Sequence, residues 1–304
     1  MTAYRIFRIG IIVLACGMPA AAADSTQTTA AAAVSARTVD PDPQAGAAAN
    51  QSQAAPEDDP DLDVDPLQAD FTIAALPTTL RMPRMKSAFR VTHQFQRSLG
   101  EGDFGDQLEN FFGIDSGARI GLEYRFGLLR GAHVGIRRTN DRTIEFSGEY
   151  NLLKERDSKP IGASVIAAID GTNNFRDIYT PSLGLVISRS LPRFGTVYVE
   201  PVWVNNSNPL PSELTDDNDT VLVGVGARLR IRRSVYLVGE IIPRVTGFDP
   251  GFNQATFGVE KLLGLHVFQL NFSNGFGKTM GQLARGTASD DDWYLGFSIS
   301  RKFF

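Results

Sequence analysis

The stretch D-W-Y-L-G-F-S-I-S-R-K-F-F, residues 292–304, ends the chain and decides its fold class. Alternate positions from Trp293 to Phe303 are mostly apolar, whereas the positions between them, from Gly296 to Lys302, are small or polar. Successive side chains of a β-strand point to opposite faces, so this strand has one apolar and one polar face. Such a strand is typical of the closing strand of an outer-membrane β-barrel. The edge strand of a soluble β-sandwich has the same alternation, so the rest of the chain must decide between them.

The same alternation recurs from Lys86 onward in segments that are separated by turns. In the clearest of them, Leu122 and Tyr124 alternate with Glu123 and Arg125. Bacterial membrane barrels are built of such segments, each about 10 residues long and even in number. Twelve segments can be counted, at 87–97, 118–126, 131–139, 143–152, 160–169, 179–190, 196–204, 221–231, 235–242, 255–261, 266–272 and 292–304.

The connections between these segments are a second, independent indication. The longest ones, 98–115, 205–219 and 274–291, follow the first, seventh and eleventh segments and therefore lie at the same end of the sheet. Membrane barrels have short turns on the periplasmic side and longer loops outside. The sequence therefore predicts an all-β fold, a transmembrane antiparallel β-barrel of about 12 strands, or of about ten or fourteen if one segment is miscounted.

The N-terminus has the parts of a secretory signal peptide. Residues 1–23 begin with Arg5 and Arg8, continue into a short apolar run and end in small residues. An apolar run of this length is too short for a membrane anchor, so removal is the favoured interpretation. Cleavage after Ala23 is favoured, and lipidation of Cys16 is the alternative.

The rest of the chain divides into three further parts. Residues 24–70 are rich in Ala, Pro and Asp and are predicted to be a disordered periplasmic tail, because they lack enough apolar surface to fold. Residues 71–85 are a periplasmic lead-in segment that could cover the mouth of the barrel. The barrel itself is predicted to occupy 86–304.

The composition excludes several functional classes. The 304 residues carry a net charge of −4, which argues against a dedicated nucleic-acid binder. One cysteine cannot form a disulfide framework or a thiolate metal site, and three histidines leave little for histidine-based chemistry. The sequence therefore predicts no cofactor and no metal.

The inward faces of the predicted strands carry charges of both signs. Opposite charges on neighbouring strands form pairs, which would neutralise a tight polar interior. The alternative is a lumen that selects small charged solutes, in a barrel with room for a narrow or a plugged pore. Strand glycines such as Gly224 and Gly226 are expected at inward positions where a long neighbouring side chain needs room. The candidate lumen-lining residues are Arg119, Glu123, Arg125, Arg137, Glu145, Glu149, Glu200, Arg228, Arg230, Glu240 and Glu260.

One motif bears on catalysis. N-F-S-N-G, residues 271–275, resembles the H-x-S-N-G nucleophile region of the outer-membrane phospholipase, another twelve-stranded barrel. That chemistry needs a histidine to accept the serine proton, and Asn271 stands at its position. His266 is seven residues from Ser273 on the same predicted strand, about 23 Å away at the rise of a strand. We therefore predict that the protein is not an enzyme.

Three stretches resemble a known family. They are G-L-E-Y-R-F-G-L-L-R-G-A-H-V-G-I-R-R-T-N (121–140), E-F-S-G-E-Y-N-L-L (145–153) and G-L-H-V-F-Q-L-N-F-S-N-G-F-G-K-T-M-G-Q-L-A-R-G (264–286). They are similar to an uncharacterised bacterial outer-membrane β-barrel family, a domain of unknown function. The resemblance covers nearly all of 75–304, and 264–286 is its most specific part. It implies an outer-membrane barrel without an established activity or known site residues.

These observations favour a barrel of the Gram-negative outer membrane that passes or binds small solutes without catalytic activity. The alternative is a closed structural barrel that docks a periplasmic protein through the N-terminal tail, and an outer-membrane hydrolase is a remote third. The expected partners are outer-membrane lipid, lipopolysaccharide and the barrel-insertion machinery, with a periplasmic protein in the alternative. No nucleic-acid partner is expected.

Overall fold

The computed structural model describes residues 61–62, 65–155, 159–210 and 218–304. The predicted signal peptide with its cleavage site and Cys16, and the predicted tail as far as residue 60, lie outside the described residues. Among the helices of the described ranges, none is long and apolar enough to cross a membrane.

The described chain forms a closed antiparallel β-barrel. The strands are β1 (Ser87–Ser98), β2 (Ala118–Leu129), β3 (Ala132–Thr139), β4 (Ile144–Leu153), β5 (Gly162–Gly171), β6 (Asp177–Leu191), β7 (Gly195–Val204), β8 (Thr220–Arg232), β9 (Val235–Ile242), β10 (Arg244–Thr246), β11 (Gln254–Leu263), β12 (His266–Ser273) and β13 (Tyr294–Phe303). Each strand pairs with its neighbours along the chain, and β13 closes the barrel on β1.

Two of these labels belong to one barrel strand. Both β9 and β10 pair with β8, and they are separated only by Pro243. Proline has no N–H to donate to the ladder, so the strand is interrupted there. Within the described ranges the barrel therefore has twelve strands, which confirms the predicted fold class and count.

The two ends of the barrel differ as the sequence predicts. One end, here called the turn end, carries the start of β1 at Ser87 and the end of β13 at Phe303. The long connections after β1, β7 and β12 all lie at the opposite end, here called the loop end. The loop after β1 contains a short helix α1 (Phe104–Glu109) and a 3-10 helix (Phe111–Ser116), and a single helical turn α2 (Thr172–Phe175) follows β5.

The two faces of the strands have opposite environments. On β13, Lys302 and Ser300 are buried in the lumen, while Ile299 and Phe303 are exposed on the outer surface. Large apolar side chains such as Tyr124 line that outer surface all around the barrel. An apolar outer surface is suited to lipid, which is the environment of a membrane-spanning barrel.

The lumen is filled from the turn end by the chain that precedes β1. Residues 71–78 form a tight turn, here called the plug hairpin, with a bridge between Thr72 and Pro77. Its tip is closed by a hydrogen bond of 2.8 Å from the Ile73 N–H to the Leu76 carbonyl. Ile73 and Leu76 are fully buried inside the barrel.

This position differs from the boundaries that the sequence suggests. Gln68, Ala69 and Asp70, the end of the predicted disordered tail, are buried in the lumen, and the lead-in segment enters the barrel instead of covering its mouth. The difference arises because the barrel wall supplies both the apolar contacts and the hydrogen-bond partners that this stretch lacks by itself.

A second segment fills the lumen from the loop end. The connection between β12 and β13, residues 274–293, is here called the inserted loop and contains the helix α3 (Met280–Arg285). Thr279 caps this helix by accepting a hydrogen bond from the Gln282 N–H, in a capping box. Met280, Leu283 and Ala284 are buried.

The plug hairpin and the inserted loop share an apolar cluster inside the barrel. Ile73 and Leu76 of the hairpin and the buried face of α3 pack against inward side chains of β5 to β9. In this sector apolar side chains also point inward, between charged ones such as Asp170 and Glu240, which the prediction of a polar interior missed. The wall members are Ile166, Ala168, Val186, Tyr198, Val202, Val204, Leu222, Val238 and Ile242.

Candidate functional site

The tip of the plug hairpin is held at mid-lumen by one carboxylate. Glu240 of β9 accepts hydrogen bonds from the backbone N–H groups of Ala74, Ala75 and Leu76, at 2.9 to 3.1 Å. Three consecutive backbone donors converging on one carboxylate form a concave anion site, and such charge-assisted bonds are stronger than neutral ones. Glu240 is 5% exposed, so water competes little for these bonds.

A buried ion pair holds the carbonyl groups of the same segment. Arg228 of β8 binds Glu260 of β11 at 2.7 Å, and both side chains are excluded from solvent. The Arg228 guanidinium also donates to the carbonyl groups of Asp70 and Thr72, at 3.2 and 2.8 Å. One arginine therefore satisfies a wall carboxylate and two backbone acceptors of the plug together.

Further strands of the wall bind this segment as well. Arg90 of β1 donates to the Ala74 carbonyl at 3.2 Å, and Gln269 of β12 donates to the Ile73 carbonyl at 2.6 Å. Lys302 of β13 donates to the Ala69 carbonyl, just before the hairpin, at 2.5 Å. In the strand order β8, β9, β11, β12, β13 and β1 are consecutive, so these bonds hold the segment along one continuous sector of the wall.

Two glycines make room for the apolar side chains of the hairpin. A Cβ atom at Gly226 would lie 2.3 Å from Ile73, and one at Gly224 would lie 2.8 Å from Leu76. The predicted reason for inward glycines, space for a long side chain, therefore applies here, with the side chains coming from the plug and not from a neighbouring strand.

The inserted loop is anchored by acidic residues of the wall. Glu145 of β4 accepts the Met280 N–H at 2.8 Å, and Asp170 of β5 accepts the Gly281 N–H at 3.2 Å. Arg137 of β3 donates to the Lys278 carbonyl. The loop is thus fixed in the same way as the hairpin, by wall side chains that bind its backbone.

Lys278 of the inserted loop occupies the region where the two plugging segments approach each other. It borders a small gap that is also lined by Ala74 and Ala75 of the hairpin and by Arg90 and Arg137 of the wall. Burial lowers the pKa of Lys278 from 10.5 to about 8, against the attraction of Glu240 and with repulsion from the two arginines.

This shift predicts a pH dependence of stability. Between pH 8 and 10.5 the unfolded chain holds a proton on Lys278 that the folded protein has lost, so stability rises with pH across this window. We expect Lys278→Met to lack this part of the rise. Chemical unfolding midpoints of both proteins, measured at several pH values across the window, test this, and identical profiles would contradict it.

A cavity of about 320 Å³ opens at the loop end, between the inserted loop and the wall formed by β2, β3 and β13. It is here called the outer pocket. Its lining includes Arg119, Asp141, Phe276, Lys278 and Tyr294. The rings of Phe276 and Tyr294 are in contact, with centroids 4.5 Å apart. Lys278 borders both this pocket and the gap at the hairpin tip.

The structure places the predicted lumen-lining residues in three locations. Arg119 is exposed at the loop end, where it lines the outer pocket, and Arg230 is at the turn end, where it donates to the Arg233 carbonyl at 3.1 Å. The others lie inside the barrel, buried or nearly so: Glu123, Arg125, Arg137, Glu145, Glu149, Glu200, Arg228, Glu240 and Glu260.

Part of this set forms the predicted ion pairs. Glu123 binds Arg125 at 2.5 Å and Arg137 at 2.8 Å, and Arg137 also reaches Glu145 at 3.3 Å. Glu149 lies 3.5 Å from the His133 ring. Glu240, in contrast, binds backbone, which the pairing of wall charges alone did not predict.

Several functional residues were missed from the sequence. Arg90 and Lys302 share the inward phase of β1 and β13, so the alternation itself could have included them. Asp70 and Lys278 lie in stretches without alternation, and the sequence has no signal that would place them in the lumen. Asp170 is the inward acid of β5 and could have been included by phase.

The geometry around Ser273 brings no base to it. Ser273 is buried at the loop end of β12 and binds Thr256 at 2.9 Å, whereas His266 begins the same strand at the turn end. No group of three or more His, Cys, Asp or Glu residues suited to a metal ion occurs within the described residues.

The comparison with protein families indicates the same architecture. A family model described as "Membrane bound beta barrel domain (DUF5777)" matches residues 69–303. Solved structures that resemble the chain include mutants of the porin of Rhodopseudomonas blastica, at 11% identity and TM-scores of 0.33 and 0.32, over 66% of this chain. The chain spans 58% of the length of these porin chains. Among curated proteins, none matches it.

Proposed function

Because this chain belongs to the family of membrane bound beta barrel domains that matches residues 69–303, we propose that it is a gated outer-membrane barrel for small solutes. In this proposal the turn end faces the periplasm and the loop end faces outward, as in other bacterial barrels. The barrel is closed in the described state, and its opening requires the plug hairpin to leave the lumen.

The observation that carries the proposal is the way in which the hairpin is held. Its tip is bound through backbone groups by side chains of the wall, above all Glu240 and Arg228. Such contacts are made one by one and can be exchanged for water when the segment moves, unlike the continuous ladder of a barrel strand. The rest of the lumen is lined by charged side chains, and a hydrated solute requires such a polar lining along its path.

A path for the solute is suggested by the outer pocket. The pocket is open to solvent at exposed Arg119, and at its inner side Lys278 separates it from the hairpin tip. A solute in this pocket would therefore meet the two plugging segments next. This arrangement supports a binding step at the loop end before passage through the lumen.

A reversible lock at Thr79, the residue directly after the plug hairpin, tests the proposal. The hydroxyl oxygens of Thr79 and Ser188 lie 2.6 Å apart, so cysteines at both positions are within reach of a disulfide. The variant Thr79→Cys/Ser188→Cys, made in a Cys16→Ser background, should conduct ions in planar bilayers when reduced and lose conductance when oxidised. Thr79→Cys alone is the control and should not respond to oxidation.

The second candidate is a permanently closed structural barrel. The observation in its favour is the apolar cluster shared by the hairpin, α3 and the wall, which resembles the core of a soluble domain. It would bind a periplasmic protein through the N-terminal tail that precedes the described residues. Silence of the lock variant in both redox states would favour this candidate and contradict the gated barrel.

A further inference from the structure

The outer pocket has the size and shape of a ligand site. Its volume of about 320 Å³ is at the lower end of the range for small-molecule pockets. It is walled on one side by the barrel and on the other by the inserted loop, whose buried helix α3 fixes it in place. A pocket of this volume accommodates a molecule of about the size of one aromatic ring with a polar substituent.

The hydrogen-bond acceptors of the pocket are already in use. Asp141 accepts from the Thr143 N–H at 3.1 Å and from the Gln282 amide at 2.9 Å. Burial opposes its ionisation, but the hydrogen bonds from Thr139 and Thr143 outweigh it, so that the pKa of Asp141 is lowered. The carboxylate therefore stays charged and has its strong acceptor positions occupied by the protein.

The hydrogen-bond donors of the pocket, in contrast to its acceptors, are only partly used by the protein. Among the described residues, the side chains of Arg119, Lys278 and Tyr294 donate no hydrogen bond, and all three line the pocket. The charge of Arg119 does help to lower the pKa of Asp141, but its N–H groups are not used by that carboxylate. Arg285 is also cationic, but it donates to the Ser207 carbonyl and to Thr180. The charged donors that remain for a ligand are thus a guanidinium and an ammonium, which select a negatively charged group.

The apolar part of the pocket indicates the rest of the ligand. Phe276 and Tyr294 form a tilted pair at 46°, and both are only partly buried. Aromatic faces that remain accessible favour a flat apolar group, which stacks on them with a gain beyond simple burial. A planar guanidinium such as that of Arg119 binds a carboxylate with two parallel hydrogen bonds.

We propose that the outer pocket binds a small organic anion in which a carboxylate is attached to a flat apolar group. Arg119 binds the carboxylate, and Phe276 with Tyr294 contacts the flat group. The inference rests on the proposed function in one respect: it names the class of solute that a gated barrel would take up at its loop end.

The test uses benzoate as the probe and the full chain folded in detergent micelles. Isothermal titration calorimetry should show saturable binding of benzoate, with weaker binding of benzamide, which has no charge, and of cyclohexanecarboxylate, which is not flat. Empty micelles measure partition of the probes into detergent. Equal affinities for benzoate and benzamide, or the absence of saturable benzoate binding, would overturn the proposal.

Two variants refine the assignment. Arg119→Gln should weaken benzoate binding about tenfold through the loss of a charge-assisted pair, and Phe276→Ala about fivefold through the loss of stacking. Arg232→Gln is the matched control, since Arg232 is exposed at the turn end, away from the pocket. Equal affinities of the Arg119 and Arg232 variants would also overturn the proposal.

The outcome is separable from that of the proposed function. Ligand binding in the outer pocket is tested by titration alone, whereas passage through the barrel is tested by the conductance of the reduced Thr79→Cys/Ser188→Cys variant. If the reduced barrel binds benzoate but does not conduct, the ligand site is supported and passage through the barrel is contradicted. If the reduced barrel conducts but does not bind benzoate, passage through the barrel is supported and the ligand site is contradicted.

Discussion

Gly226→Leu is expected to make the barrel conduct for a larger fraction of the time than the unmodified protein does. Even a Cβ atom at this position would lie 2.3 Å from the end of the Ile73 side chain, which is fully buried. A leucine adds three further carbons to the same filled space, and overpacking of this kind costs about 1–3 kcal/mol. Because the hairpin is held by individual contacts and the wall by a continuous ladder, the hairpin is the part that gives way.

The two readouts for this variant are hydrogen exchange and conductance. Backbone amide exchange of Ala74, Ala75 and Leu76 should become about 10- to 100-fold faster, since each 1.4 kcal/mol corresponds to about a factor of ten. Single-channel recordings should show more frequent openings than those of the unmodified protein. Gly148→Leu is the control, because a Cβ atom there meets no atom within 4 Å.

The result can contradict the idea in two ways. If exchange at the hairpin tip is as slow in Gly226→Leu as in Gly148→Leu, the glycine is not what seats the hairpin. If exchange accelerates and openings are no more frequent than in Gly148→Leu, the hairpin is not the gate.

Arg228→Met is expected to produce the largest loss of stability among single changes in the lumen. It leaves Glu260 buried without its cation, and breaking a buried pair in this way costs about 3–5 kcal/mol. It also removes the donor for the Asp70 and Thr72 carbonyls. The midpoint of denaturant unfolding of the refolded barrel should therefore fall well below that of the unmodified protein.

Two further proteins separate the causes. Arg228→Met/Glu260→Leu removes both charges and should recover most of the lost stability. Amide exchange at the hairpin should nevertheless remain fast, because the guanidinium that donates to the carbonyl groups is absent. Arg232→Met, on the exposed end of the same strand, should stay within about 0.5 kcal/mol of the unmodified protein. A double variant as unstable as Arg228→Met would show that the unpaired buried charge of Glu260 is not the cause of the lost stability.

The architecture was accessible from the sequence because barrel strands obey a strict period. Every residue of β13 from Leu295 to Phe303 lies on the face that the alternation predicts, and the long connections lie at one end. This regularity arises since lipid on one side and the lumen on the other impose opposite chemistry on adjacent residues. The strand broken at Pro243 was counted once because the ninth segment of the sequence, 235–242, ends just before that proline.

The contents of the lumen were not accessible in the same way. The plug hairpin has no period, because its polar backbone groups are satisfied by wall residues that are far away in sequence, such as Glu240 and Arg228. Its flanking residues up to Asp70 are acidic and rich in proline, a composition that alone indicates disorder. Inward charges such as Arg119 and Glu149 were identified by phase, whereas their partners depend on three-dimensional contacts.

The distribution of the hairpin contacts has a consequence for biogenesis. The groups that hold it and the residues just before it come from β1, β8, β9, β12 and β13. The last of these strands follows all the others along the chain, and the sheet becomes a cylinder only when it joins β1. The hairpin, which is made earlier, therefore has no complete receptacle until that seam closes. The hairpin precedes every strand in the sequence, yet it gains its full set of partners only after the last strand has joined the barrel.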